Sequence, residues 1–139
     1  MKKWLVLIVA VAATVWAMAP HAAYTEDRNT VLLARTVYAL ARNESYETQL
    51  AIANVAVNRL ASPWFSDDLD EVLSEQHQFP AGSRYDAQSL SAAHDVLSGR
   101  RVLSPEAVYY QSAAATQPRE DLPLEAVGGF RFYATGTGL

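Results

Sequence analysis

Cysteine is absent from the 139 residues, which excludes disulfides and thiolate metal sites and leaves an apolar core as the source of stability. Histidine is scarce, and His77 and His94 show no H-E-x-x-H or comparable spacing, so no metal site is expected. Catalysis by a Ser/His/Asp set is set aside because no Gly-x-Ser-x-Gly elbow is present. No cofactor is expected. Repeats, low-complexity tracts and long charge runs are also missing. The densest acidic cluster, Asp67-Asp68-Leu69-Asp70-Glu71, reads as a solvated helix start with its carboxylates at the positive end of the dipole.

Lysine occurs only as Lys2 and Lys3, directly before an apolar run from Trp4 to Met18 in which Thr14 is the one polar residue. Ala19-Pro20-His21-Ala22-Ala23 follows, completing the basic, apolar, small-residue order of an export signal. Residues 1–23 are therefore expected to be a signal peptide or, if uncut, an N-terminal membrane anchor. The apolar run is shorter than the roughly 20 residues of a spanning helix, which favours cleavage. Residues 24–139 are expected to form one domain, exported to the periplasm or cell envelope. That part carries nine arginines against fifteen carboxylates, a net charge of −6. Phosphate binding needs a basic face, so nucleic acid is not an expected partner. Membrane contact is expected only through residues 1–23.

Leu32, Leu33, Thr36, Val37 and Leu40 share one face at helical spacing and predict a first helix from about Asn29 to Arg42. Ser45, followed by Glu47, reads as the start of a second, Ala-rich helix reaching about Leu60 and stopped by Ser62-Pro63. Its small side chains permit close approach and predict a central position. A short helix is expected over Asp68–Ser74, a loop over Gln76–Tyr85, and a further helix over Ser89–Ser98 ended by Gly99. Ala107-Val108-Tyr109-Tyr110 and Phe130-Arg131-Phe132-Tyr133 are short, aromatic and partly β-branched, and predict two strands of a small sheet or hairpin. The expected class is α+β, mainly helical with a minor β element.

The stretch Leu32-Leu33-Ala34-Arg35-Thr36-Val37-Tyr38-Ala39-Leu40-Ala41-Arg42-Asn43-Glu44 resembles L-L-A-R-x-V-Y-A-E-A-R-G-E of the SleB and CwlJ cell-wall hydrolases. Tyr46 to Arg59 resembles that family's Y-E-G-Q-x-A-V-A-x-V-V-L-N-R. Gln78-Phe79, Tyr109-Tyr110 and the tail from Gly128 to Tyr133 keep the family's order, so the resemblance spans roughly residues 31–134. It implies a lysozyme-like fold acting on peptidoglycan glycan strands. Two departures stand out: Leu40 replaces the Glu that serves as catalytic acid in the family pattern, and Phe130 replaces a His. Leucine has no proton to donate.

Glu44 is the carboxylate left in this block, read either as a surviving catalytic or substrate-binding group or as a junction residue helping to cap the second helix. Arg35 and Arg59 are candidates to pair with carboxylates inside the fold or to touch the substrate's peptide stem. Asn58 is placed either at the end of the second helix or on a groove. Gln78, Phe79, Tyr109 and Tyr110 resemble residues around the family's cleft and suit sugar binding, with core packing as the alternative. Two functions remain. One is a glycan-cleaving enzyme of lytic-transglycosylase or muramidase type that relies on Glu44 or another group. The other is an inactive relative that binds peptidoglycan or serves an envelope or phage-associated protein partner. The two apolar replacements favour the second.

Overall fold

The computed structural model describes residues 27–75 and 78–135, so the Trp4–Met18 run and His77 lie outside the described residues. Four helices are followed by three strands: α1 (Arg28–Ala41), α2 (Tyr46–Ala61), α3 (Leu69–Ser74), α4 (Ala87–Leu97), β1 (Tyr109–Ser112), β2 (Glu125–Val127) and β3 (Phe130–Tyr133). The α+β expectation agrees with this order.

Each helix begins where a short polar side chain takes up an otherwise unpaired backbone N–H. Asp27 accepts from Thr30 N at 2.8 Å, Ser45 from Thr48 N at 3.2 Å, Asp68 from Glu71 N at 3.2 Å and Asp86 from Ser89 N at 2.8 Å. The last helix starts two residues earlier than its sequence suggests. Ser89 is not the cap; its hydroxyl accepts from Asp86 N at 3.0 Å and closes a reciprocal capping box. Gly99, at φ 115°, follows the helix in the left-handed conformation that suits a residue without Cβ.

Helix α2 is the axis of the domain. It packs against α1, α3, α4 and strands β1 and β2, and Leu50 through Ala56 are buried around its whole circumference. Ala51, Ala53 and Ala56 let its neighbours close in, and Leu33, Val37, Val72, Ala93 and Val96 fill the gaps.

The sheet is antiparallel in the order β1-β3-β2. Two strands were expected, and β2 is the third: Val127 pairs with Phe130 across a two-residue turn made by Gly128 and Gly129. A Gly-Gly pair suits such a turn because it accepts positive φ, and Gly128 has φ 54°. Strand alternation sends Phe130 and Phe132 into the core and leaves Arg131 exposed. On the other face Arg119 lies 3.9 Å from the Tyr133 ring centroid and bonds to Asp121 and to the Thr135 carbonyl, strapping the 113–124 loop over the sheet.

Candidate functional site

Sequence-distant aromatic residues meet where β1 crosses the 78–82 loop. Phe79 stacks on Tyr110 with centroids 5.4 Å apart, and Tyr110 tilts against Phe130 at 6.2 Å. The Tyr110 hydroxyl donates to the Gln78 carbonyl at 2.6 Å, fixing the loop to the strand. Burial pushes the Tyr110 phenol up to about 12, because a phenolate there would lose its water.

Arg59 is central to this cluster. Its guanidinium lies 4.8 Å from the Phe65 and Phe79 centroids and 5.3 Å from that of Tyr109. Nε donates to Val108 O at 2.7 Å and Nη2 to Gln78 Oε1 at 2.8 Å. The expected carboxylate pairing is therefore replaced by a carbonyl, an amide and three rings. Burial lowers the Arg59 pKa, and the negative charge of Glu75 opposes that shift. The structure thus brings Gln78, Phe79, Tyr109 and Tyr110 together, with Arg59 as the group that joins them.

Asn58 belongs to the scaffold and not to a groove. Its amide donates to Ser104 O and Ala107 O, both at 2.9 Å, while its Oδ1 accepts from Asn54 Nδ2 at 3.0 Å. Asn54 Oδ1 in turn accepts from the backbone of Val102 and Leu103 at 2.8 and 2.9 Å. The two asparagines supply hydrogen bonds to a segment with no regular structure, which a buried irregular chain requires. Arg35 packs against the 78–82 loop from α1. It is half-buried there, and its Nε is buried with no hydrogen-bond partner. A Cβ on Gly82 would come within 2.4 Å of the Arg35 carbonyl, so only glycine lets the loop lie this close.

Glu44 occupies a second corner, between the α1–α2 turn and the β2–β3 hairpin. A Cβ on Gly129 would sit 2.6 Å from Glu44 Oε1, and one on Gly128 would sit 2.2 Å from Thr48 Oγ1. The glycine pair therefore serves two ends: it makes the hairpin turn and lets that turn rest on the Glu44 carboxylate. Capping of α2 falls to Ser45, so the carboxylate is spared that task. Gln88 of α4 reaches the Glu44 carbonyl at 3.4 Å. Phe130 follows Gly129 in the chain and touches Tyr110, so it links the Glu44 corner to the aromatic cluster.

Leu40 is half-buried against the core, and Phe130 is 6 % exposed within it. Among the described residues, no three His, Asp or Glu side chains gather as metal ligands. Sequence reasoning missed Thr48, the Gly128–Gly129 platform as a site element, and Trp64, an 87 % exposed residue that precedes Phe65 in the chain. Of these, only the Gly-Gly pair between two strand-like stretches carried a readable signal.

The Cell Wall Hydrolase family model matches residues 43–133. The spore cortex-lytic enzyme of Bacillus subtilis is 41% identical over 93 residues, covering 63% of this chain and 30% of that protein. Its counterpart from Halalkalibacterium halodurans is 35% identical over 96 residues, covering 65% and 29%. The chain thus spans about a third of the length of these curated relatives. The catalytic domain of the Bacillus cereus SleB protein superposes with a TM-score of 0.69 at 24% sequence identity, covering 78% of this chain and 92% of that one. The catalytic domain of the germination-specific lytic transglycosylase SleB from Bacillus anthracis gives 0.66 at 25% identity, covering 80% and 97%. The lysozyme-like α+β expectation agrees with these folds.

Proposed function

The chain belongs to the cell wall hydrolase family, and from that premise we propose that it is exported and holds peptidoglycan glycan strands without cutting them. The observation that carries this reading is the fate of two positions. Where the family pattern has an acid and a histidine, this chain has Leu40 packed on the core and Phe130 buried in it. Glycosidic cleavage requires a proton for the leaving oxygen, and neither side chain supplies one. Beside them, the aromatic cluster joined by Arg59 and the hairpin turn resting on Glu44 offer rings, amides and a carboxylate of the kind that hold sugars. The export order of residues 1–23 supports a place in the periplasm or envelope.

A second reading has one observation in its favour. The Glu44 carboxylate lies against the hairpin turn, and no salt bridge holds it among the described residues. Cleavage through Glu44 would then be the residual activity of this chain.

Incubation of the exported protein with purified peptidoglycan sacculi separates the readings. The expected result is co-sedimentation with no soluble muropeptide. Release of muropeptides that disappears in Glu44→Gln would establish the enzyme instead. Protein left in the supernatant with the sacculi intact would overturn both and point to a protein partner.

A further inference from the structure

On the side of Glu44 that faces α4, Tyr46, Ala87, Gln88, Ser91 and Asp95 line an open depression of about 530 Å³. Its polar groups come from two elements and are held in place. The Tyr46 hydroxyl makes a short hydrogen bond to Asp95 Oδ2, tying the first turn of α2 to α4. Arg100 approaches the same carboxylate at 3.7 Å and lies 5.9 Å from the Tyr46 ring centroid. His94 Nδ1 is 3.6 Å from Asp95 Oδ1. Gln88 gives one of its two amide N–H groups to the Glu44 carbonyl at 3.4 Å, which makes the depression and the Glu44 corner neighbours.

We propose that this depression, which adjoins the Glu44 corner, is an accessory sugar site that takes a neutral pyranose ring of the glycan strand. The chemistry of the lining selects that ligand class. Asp95 is an acceptor, and Tyr46, whose O–H is donated to Asp95, presents its oxygen lone pairs. Gln88 adds a carbonyl acceptor and its second N–H, and the Ser91 hydroxyl both donates and accepts. Such a surface asks for several O–H donors at short spacing, which vicinal hydroxyls provide. Net charge argues the same way: the Asp95 carboxylate is already faced by Arg100, so little negative charge is left to select an ammonium, and no lining side chain is cationic to select an anion. The Tyr46 ring adds an aromatic body beside these groups, as sugar sites commonly use. The identification of the sugar as part of a peptidoglycan strand rests on the function proposed above; the acceptor-rich, near-neutral pocket does not.

The test uses the full chain and two probes, purified sacculi and the soluble tetramer of N-acetylglucosamine. Ala87→Trp fills the depression from an exposed position and leaves both partners of the Tyr46–Asp95 tie in place, and Tyr46→Phe keeps the ring but removes the hydroxyl. Amide chemical shifts on titration with the tetramer are expected to move at Tyr46, Gln88, Ser91 and Asp95. Ala87→Trp should abolish those shifts and weaken sacculus binding by about tenfold, and Tyr46→Phe should weaken it by about fivefold, the effect of one hydrogen bond. Parent and Ala87→Trp binding sacculi equally, with tetramer shifts elsewhere, would overturn the accessory site and leave the peptidoglycan reading standing. Tetramer shifts in the depression without sacculus binding would support the site and overturn that reading. Absence of both would overturn both.

Discussion

Replacing Asn58 with Ala is expected to damage folding and not recognition, because every polar atom of this side chain is committed inside the domain. The change removes two donated bonds of 2.9 Å, to Ser104 O and Ala107 O, and the 3.0 Å bond accepted from Asn54. Asn54 is fully buried, so its amide N–H would be left with no partner and no water, a cost of about 1–3 kcal/mol. The carbonyls lose less, since each has a second lone pair and Ser104 is only half-buried; together they add about 1 kcal/mol. A total near 3 kcal/mol, in a domain of this size, corresponds to a fall in melting temperature of about 10–15 °C. Circular dichroism melting of parent and Asn58→Ala gives the shift, and sacculus co-sedimentation well below both melting temperatures gives binding. The expected outcome is a large loss of stability with near-parental binding by the folded fraction. A melting temperature lowered by less than about 3 °C together with lost binding would refute the scaffold assignment and return Asn58 to the groove.

Gly128→Ala should destabilise more than Gly129→Ala, since the former meets the buried Thr48 hydroxyl at 2.2 Å with φ 54° and the latter only displaces the flexible end of Glu44; equal melting temperatures would refute this. Gly129→Ala, by moving the carboxylate, should instead weaken sugar binding in the sedimentation assay. The Tyr46 and Tyr110 phenols are both held up at about 12, Tyr46 by burial and then by its bond to Asp95. Because a raised folded pKa favours the neutral form, their stabilising effect is complete below about pH 10 and is lost as the pH rises toward 12. An ultraviolet phenolate titration should show both ionising late and with unfolding, and a single simple step near 10 for every tyrosine would contradict it. Leu40→Glu, at a half-buried position, should fold and release muropeptides with anhydro-sugar ends. A folded, sacculus-binding variant that releases nothing, alone or with Phe130→His, would show that the cleft no longer fits the reaction.

The helices were legible in the sequence because their determinants are local: apolar residues recur every three or four positions, and Ser45, Asp68 and Gly99 mark ends through bonds or dihedrals within a few residues. The central place of α2 followed from its small side chains, and the motif around Leu40 and Glu44 was readable as a linear pattern. The last helix was expected two residues late because its apolar face begins at Leu90, whereas its cap is Asp86 at the end of the preceding loop. The strand order, the Arg59 cage and the commitment of Asn58 to distant carbonyls depend on residues about twenty to fifty positions apart, where periodicity carries no information. The two candidate corners were decided at that level as well: only the folded hairpin brings Gly129 to Glu44, and only the packing of α4 on α2 brings Asp95 to Tyr46.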